Sequence, residues 1–240
     1  MANQQITSLP GIGDLLSRSW QIYKARIGVF LGIMILPALL LLLFSILLLI
    51  PSLRLNFPAL IFVTPFIFLI FIIIQIWASI SLLYAIKERE QKIGIRESFV
   101  KGWHKIISYF WISLLAGLIV LVGFLLFIVP GIIFAIWFSL ATYVLVAEGL
   151  TGMKALSRSK QLVSGYWWPV FGRFLLIGII AVAASMFIGF ILGIIGFLIN
   201  ASWINDIAQR GFSFFLTPFF VTYAFLIYED LKKLKEGVAI

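Results

Sequence analysis

Residues 106–147 decide the fold of this chain: IISYFWISLLAGLIVLVGFLLFI (106–128), then Val129 and Pro130, then GIIFAIWFSLATYVLVA (131–147). This stretch contains no Asp, Glu, Lys, Arg or His. The hydrocarbon core of a bilayer is about 30 Å thick, and a helix needs about 20 apolar residues to cross it. The two runs therefore predict two membrane-spanning helices that form a hairpin, with a tight turn at Val129 and Pro130 inside or at the edge of the bilayer.

Four further apolar runs of spanning length flank this pair. The six predicted spans are residues 27–50, 59–86, 106–128, 131–147, 174–199 and 211–228. Overall composition agrees, because 63% of the residues are hydrophobic and 11% are charged, whereas an ordinary soluble domain has about 25% charged residues. The mean hydropathy is +1.16. We predict an all-α polytopic membrane protein in which residues 1–240 form a single integral membrane domain that ends in a short tail, 232–240.

The lysines and arginines predict the orientation of these spans. Sixteen of the 18 fall before span 1, between spans 2 and 3, between spans 4 and 5, or after span 6, and the opposite side carries only Arg54 and Arg210. Basic residues near span ends are retained in the cytoplasm. We therefore expect both termini in the cytoplasm and a multi-pass protein of the cell membrane. The first apolar run is longer than the core of a signal peptide, roughly 7 to 15 residues, so we expect an uncleaved anchor.

The net charge of +9 favours an anionic partner, which could be nucleic acid or lipid. Its basic residues are distributed over four segments next to the membrane, whereas a nucleic-acid-binding module gathers them on one face. We expect no nucleic acid, and we expect anionic lipid headgroups at the cytoplasmic face as the counter-ions. The alternative is that these charges only set the topology.

A repeat is visible in the segments that precede the odd-numbered spans. LSRS at residues 16–19 recurs at residues 156–159, and a weaker third copy, IRESF, occupies residues 95–99. We predict three repeated units, at about residues 11–90, 91–150 and 151–231, each an interfacial amphipathic helix followed by two spans. The predicted apolar faces are Ile12, Leu15, Leu16, Trp20 and Tyr23; Ile95, Phe99, Trp103 and Ile106; and Met153, Leu156, Val163 and Tyr166. These faces are expected to meet the lipid interface or the protein itself, with a partner helix as the alternative.

One stretch of the chain carries a family resemblance. It runs from Ile128-Val129-Pro130-Gly131 through span 4 to Glu148 and Gly149, and continues with ALSRS at residues 155–159 and with Gly165. The chain resembles, over nearly its whole length, the membrane domain that precedes the catalytic domain of some bacterial glycerophosphodiester phosphodiesterases. It also resembles the free-standing six-helix relatives of that domain. The resemblance implies a six-helix membrane fold without an assigned activity, since the phosphodiesterase chemistry of the fused proteins belongs to a separate soluble barrel.

Few residues are suited to catalysis or to metal binding. The sequence has no cysteine and a single histidine, His104, on a basic amphipathic helix. Paired histidines and thiolates are therefore excluded as acid–base or metal-binding groups. We expect no enzymatic activity, no metal and no cofactor.

Three charged residues are candidates for contact with lipid headgroups or with the interface: Arg18, Arg158 and Glu148. Arg18 and Arg158 occupy the same position in the two LSRS copies, and Glu148 ends span 4. For Glu148 the sequence leaves two alternative roles, an ion pair with Arg158 or the capping of a helix.

Other candidates lie within the predicted spans. Gln75 and Thr142 are expected in the bundle interior, where a polar side chain either holds helices together or contacts a substrate. Small residues recur at every fourth position of span 5 and allow two helices to approach closely, either within the monomer or across a homodimer. These helix-packing candidates are Ala181, Ser185, Gly189 and Gly193.

Two function classes compete on this basis. The first is a non-enzymatic accessory, scaffold or lipid-interacting membrane domain, whose partners are membrane lipids, with a second membrane protein or another copy of the chain as further candidates. The second is a transporter or channel for a small apolar or lipid-like solute, for which the repeat supplies pseudo-symmetry. An intramembrane enzyme is least favoured, because no nucleophile, base and oxyanion-stabilising group occur together.

Overall fold

The computed structural model describes residues 9–49, 57–198 and 203–237, and the side chains of these except for residues 44–49, 57–63 and 203–210. The described residues form nine helices and no strand: α1 (Ile12–Leu49), α2 (Phe57–Lys87), α3 (Ile95–Trp103), α4 (Ile106–Leu126), α5 (Ile128–Phe138), α6 (Ala141–Glu148), α7 (Gly152–Val163), α8 (Trp167–Leu198) and α9 (Trp203–Glu236). Six stretches are long and apolar enough to cross a membrane, if α5 and α6 are taken together. The prediction of an all-α, six-span membrane protein is confirmed.

Helix α1 combines the first predicted amphipathic helix and the first predicted span. The two parts meet at Arg26, whose backbone angles (φ −123°, ψ 16°) are not helical and mark a kink. Arg26 is buried, and its guanidinium donates to the carbonyl oxygens of Arg89, at 3.2 Å, and of Ile93. The loop that follows α2 therefore holds the kink in place.

The turn between spans 3 and 4 lies two residues earlier than predicted. Helix α4 ends at Leu126, and the extended Phe127 (φ −160°, ψ 155°) alone separates it from α5. Val129 and Pro130 belong to the first turn of α5, where proline fits because a first-turn N–H has no helical partner anyway. A Cβ on Gly123 would lie 3.0 Å from the backbone of Gly131, so glycine allows the two helices to approach closely at this point.

The fourth predicted span is not one helix, since α5 ends at Phe138 and α6 begins at Ala141. The hydroxyl of Ser159, on α7, donates to the carbonyl oxygen of Trp137 (2.6 Å) and accepts from the N–H of Leu140 (3.2 Å). The backbone groups freed by the break are therefore satisfied by a side chain, as a buried membrane-level break requires. Gly149, with φ 74°, then ends α6 in the left-handed conformation that favours glycine.

The amphipathic segments bury small residues that the sequence analysis did not include in their apolar faces. Ser19, Ser98 and Ser159, which occupy equivalent positions in the three aligned copies, are all fully buried. Four predicted members are instead exposed, namely Trp20 by 45%, Ile95 by 39%, Trp103 by 57% and Met153 by 62%. For α3 the physical reason is close approach, because a Cβ on Gly102 would lie 2.7 Å from Oγ of Ser81 on α2.

The hydrophobic core lies toward one end of the bundle, which we call the basic end. The basic end comprises the start of α1, the loop 88–94 with α3, residues 148–167 with α7, and the end of α9. The core residues of α9 form an unbroken run, with every residue from Thr222 to Leu231 buried. α9 is thus surrounded on all sides at this end and acts as the central helix.

Helices α8 and α9 both extend beyond the predicted spans 5 and 6. α8 begins at Trp167, and α9 continues to Glu236, so most of the predicted tail is helical. Arg54 and the predicted span ends at residues 50 and 199 lie outside the described residues, as do residues 1–8 and 238–240, and the side chain of Arg210 is also outside them. The division into three repeated units stays a prediction.

Candidate functional site

Two acidic residues, Glu229 and Asp230, lie in the buried part of α9. Their exposed fractions are 6% and 2%. A buried carboxylate loses its hydration and is tolerated only when it is paired and hydrogen-bonded. The basic end of the bundle supplies an arginine to each of them.

Asp230 is paired with Arg18 of α1. The guanidinium donates two parallel hydrogen bonds to the carboxylate, Nη1 to Oδ2 at 3.2 Å and Nη2 to Oδ1 at 3.0 Å. Asp14, one turn earlier on α1, lies 3.5 Å from the same guanidinium but is largely exposed. The bidentate geometry is the strong form of a charge-assisted hydrogen bond.

Glu148, at the end of α6, has the largest set of partners. Arg158 of α7 donates to it from Nε (2.9 Å) and Nη2 (3.3 Å), and the hydroxyl of Tyr228 donates at 2.7 Å. Lys232 lies 3.4 Å away, and Arg158 also contacts Glu236. Of the two possibilities that the sequence left open for Glu148, the ion pair with Arg158 is present.

Two further pairs were not predicted. Arg89, in the loop after α2, donates two hydrogen bonds to Glu229, at 2.9 and 3.0 Å, and Lys101 of α3 contacts Glu88. The available signal was the acidic residue near the end of each even-numbered span. Glu88 and Glu229 stand at such positions, but their positions do not indicate which cations fold against them.

Three of these pairs follow one rule. The acid that follows a returning span contacts a base on the next amphipathic segment: Glu88 after α2 contacts Lys101 of α3, and Glu148 of α6 contacts Arg158 of α7. Asp230, near the end of the last span, contacts Arg18 of the first amphipathic segment, so the same rule links the last unit to the first. The Arg18–Asp230 pair therefore joins the start of α1 to the end of α9.

These contacts change how Arg18 and Arg158 are interpreted. Their guanidinium groups donate to carboxylates within the protein, and the side chains are 31% and 21% exposed. They therefore have a structural role. The predicted contact of Arg18, Arg158 and Glu148 with lipid headgroups stays a prediction.

Gln75 and Thr142 are both half-buried, on α2 and α6. The backbone carbonyl of Gln75 accepts a hydrogen bond from Ser79 of the same helix at 2.8 Å. Within the part of the chain that the structure describes, no hydrogen bond joins the side chains of Gln75 and Thr142. Whether these two residues hold helices together or contact a substrate stays a prediction.

The small residues of α8 lie along one half-buried face, where Ala181 and Ser185 line an open cleft of about 270 Å³ with Val182 and Met186. Gly189 continues that face. A Cβ on Gly193 would meet no atom within 4 Å. At Gly193, close packing within the monomer is therefore not observed.

His104 is exposed at the end of α3, where its ring Nδ1 lies 3.1 Å from the carbonyl oxygen of Val100 in the preceding turn. Among the described residues, no three His, Asp or Glu side chains are grouped as a metal site would require.

A second cleft, of about 340 Å³, opens between the start of α1 and the first half of α8. Its charged residue is Arg173, which is only 9% exposed. Nη1 and Nη2 of Arg173 donate to the carbonyl oxygens of Pro169 (3.0 Å) and Pro10 (2.6 Å). Sequence reasoning had counted Arg173 only as a topology-setting charge. Nothing in its sequence context indicated that it would be buried without a carboxylate.

Comparison with known proteins identifies a family to which this sequence is similar. A family model described as a domain of unknown function, DUF7847, matches residues 98–230, a range that begins in α3 and ends at Asp230. No curated protein and no solved structure matches the chain. The family match covers more than half of the sequence and four of the six spans, and the chain belongs to the DUF7847 family.

Proposed function

We propose that this protein is a non-enzymatic membrane domain whose basic end binds anionic lipids. The observation that carries this proposal is the presence, at that end, of cations that have no carboxylate partner among the described residues and that lie beside exposed tryptophans. Lysine and arginine attract the headgroups of anionic lipids, worth about 1 kcal/mol for each residue near the surface. Tryptophan favours the boundary between headgroups and acyl chains.

Helix α3 presents the clearest surface of this kind. Arg96, Val100 and Trp103 follow one another at spacings of four and three residues, so they share one face of the helix. Val100 is 55% exposed and Trp103 57%. Arg96 is exposed and forms no ion pair within the described residues. An arginine at the edge of an exposed apolar face is the pattern of a helix that contacts a membrane surface.

Other unpaired cations extend this surface around the basic end. Lys24 lies 5.7 Å from the ring of Trp20, which is 45% exposed. Lys160 lies 4.4 Å from the ring of Trp137. Further cations without an ion pair among the described residues are Lys92, Lys105, Lys154 and Lys233. The ion pairs inside the bundle thus leave an outer set of positive charges available to lipid.

The proposal includes the orientation and the membrane. We place the basic end and both termini in the cytoplasm, and the protein in the cell membrane, because the positive charges of the chain concentrate at one end. Reporter fusions at residue 240 test the orientation. A cytoplasmic signal supports it, and an extracytoplasmic signal contradicts it.

The same proposal has two further parts. The protein has no enzymatic activity, and it is related to the membrane domain of bacterial glycerophosphodiester phosphodiesterases. The stretch that carries the resemblance includes the first turn of α5, at residues 128–131, and the Glu148–Arg158 ion pair. An association with a second membrane protein or with another copy of the chain is compatible with this role.

Transport of a small apolar or lipid-like solute is the alternative function. The observation in its favour is the break between α5 and α6, since transporters often use interrupted helices at their binding sites. The freed backbone groups of Trp137 and Leu140 are, however, bound by Ser159. They are not available to a solute in this conformation, and we therefore favour lipid binding.

The experiment is native mass spectrometry of the protein released from nanodiscs that contain phosphatidylcholine and phosphatidylglycerol in equal amounts. Lipid binding at the basic end predicts retained phosphatidylglycerol in excess of phosphatidylcholine. Retention of the two lipids in equal amounts contradicts the proposal, and solute-uptake assays in vesicles then become the next step.

A further inference from the structure

We infer that the cleft between the start of α1 and the first half of α8 holds one anionic phospholipid, whose phosphate is bound by Arg173. The inference rests on the proposed function, and it assigns that function a single site. The lining residues of the cleft are Ile12, Trp168, Pro169, Gly172, Arg173, Leu175, Leu176 and Ile179.

The first observation is the uncompensated charge of Arg173. Its guanidinium is buried, and its hydrogen bonds go to two neutral carbonyl groups. By contrast, Arg18, Arg89 and Arg158 each meet a carboxylate. No carboxylate of the described residues forms an ion pair with Arg173. A guanidinium has five N–H groups, so hydrogen-bonding capacity remains together with the charge, and both favour an anionic acceptor.

The second observation is that an opening leads to this arginine. Arg26 is equally buried, at 8% exposure, and also donates only to carbonyl groups. It lines neither of the two clefts described above, and its contacts explain it as the residue that fixes the kink of α1. Arg173 differs because it forms part of the wall of an open cleft.

The third observation is the apolar character of the rest of the wall, which decides the kind of anion. Trp168, at the beginning of α8, is 74% exposed. Leu175 and Ile179 are 49% and 55% exposed and extend from Arg173 along α8, away from the basic end. A buried cation with an aromatic residue on one side and an apolar track on the other complements a phosphate followed by an acyl chain. A free phosphate ion would gain nothing from that track.

The volume of the cleft fits this assignment. About 340 Å³ lies at the lower end of the range for small-molecule sites, roughly 300 to 1,000 Å³. It accommodates the phosphate and the adjoining part of one lipid, and the remainder of the acyl chains stays in the bilayer. We therefore expect one lipid in this cleft.

A substitution at Gly172 can fill the cleft without removing the charge of Arg173. A Cβ on Gly172 would meet no atom within 4 Å, so Gly172→Phe directs a ring into open space beside Arg173. The matched control is Gly178→Phe on the same helix, because Gly178 is also free of neighbours within 4 Å and does not line the cleft. Arg173→Met removes the charge.

Native mass spectrometry in phosphatidylcholine nanodiscs with increasing phosphatidylglycerol measures the binding. We expect wild type and Gly178→Phe to retain one tightly held phosphatidylglycerol. Gly172→Phe and Arg173→Met should need about tenfold more of that lipid for the same occupancy, the effect of losing one charge-assisted contact. Folding is checked by thermal melting, and Gly172→Phe keeps the test valid where Arg173→Met does not fold.

The possible outcomes separate this site from the proposed function. If all variants prefer phosphatidylglycerol as strongly as wild type, the basic end binds anionic lipid but the cleft is not the site. Where even wild type shows no preference, the proposed function and this inference are both overturned. An increase in melting temperature with inorganic phosphate that equals the increase with phosphatidylglycerol would identify the ligand as free phosphate and overturn the lipid assignment.

Discussion

Helices α8 and α9 are adjacent and have similar lengths, 32 and 34 residues, but their environments are opposite. α9 is buried on all sides from Thr222 to Leu231 although this segment contains two acidic residues. α8 is more apolar, yet Phe187, Phe190 and Phe197 are 66%, 69% and 86% exposed. In a bilayer, lipid tails solvate apolar side chains as well as protein does. Hydrophobicity therefore does not determine which helix is central.

The polar contacts separate the two helices more clearly. α9 is held by the ion pairs of Glu229 and Asp230 and by the hydrogen bond from Tyr228 to Glu148. The second half of α8 borders an open cleft at Ala181 and Ser185. We therefore expect substitutions at the end of α9 to affect stability strongly, and substitutions in the second half of α8 to affect it weakly.

Asp230→Asn should have the most severe consequence. It leaves Arg18 without its buried counter-ion, and we expect the free energy of unfolding to fall by about 2 to 3 kcal/mol, a value reduced for the partial exposure of Arg18. The control is Asp14→Asn, which removes the exposed partner of the same arginine and should cost less than about 0.5 kcal/mol. Thermal unfolding in detergent measures both. Equal losses would show that the buried pair does not hold α1 to α9.

Gly102→Leu should follow, with a loss of about 2 kcal/mol from overpacking. The new side chain would collide with Ser81, whose backbone nitrogen lies 3.2 Å from the position of a Cβ. Gly117→Leu on α4 is the control, since a Cβ there meets no atom within 4 Å. The same thermal assay is used, and an unchanged Gly102→Leu protein would mean that α3 is not docked against α2.

Ser159→Ala should cost about 1.5 kcal/mol, because it leaves the carbonyl of Trp137 and the N–H of Leu140 without partners. Ser19→Ala is the appropriate comparison. Ser19 is equally buried, but its hydroxyl donates only to Leu15 of its own helix, at 2.7 Å. We expect a clearly smaller decrease in melting temperature for Ser19→Ala. The opposite order would contradict the role of Ser159 at the α5–α6 break.

Gly193→Leu should change the free energy of unfolding by less than about 0.5 kcal/mol, as is usual for a surface position. A Cβ at this position meets no atom within 4 Å, so the new side chain enters space without protein neighbours. A loss of more than 1 kcal/mol in detergent, or a change in oligomeric state by size-exclusion chromatography with light scattering, would show that this face of α8 is packed after all.

Much of the fold was predictable because lipid imposes strict rules on backbone hydrogen bonding and on helix length. Those rules led from the run at residues 106–147 to the six spans. They gave less precise positions for turns and breaks, since these depend on individual contacts. The chain turns at Phe127 because Gly123 and Gly131 meet there, and the break before Ala141 exists because Ser159 lies beside it.

The candidate site was predictable only in part. Glu148 and Arg158 were recognised because one ends a span and the other belongs to a repeated motif only ten residues later. Asp230 and Arg18 are separated by 212 residues, and no local pattern indicates such a contact. The buried serines were missed since apolar periodicity gives small polar residues no weight, although Ser98 and Gly102 stand at the helical spacing of four.

The most direct test of anionic lipid binding is the composition of the lipid that surrounds wild-type protein in a bilayer. The protein is reconstituted into vesicles of equal phosphatidylcholine and phosphatidylglycerol, extracted with a styrene–maleic acid copolymer, and the lipid in the purified particles is quantified. We predict a clear excess of phosphatidylglycerol over the vesicle composition, and a smaller excess when salt screens the exposed charges during reconstitution. A ratio equal to that of the vesicles at every salt concentration would contradict the central claim.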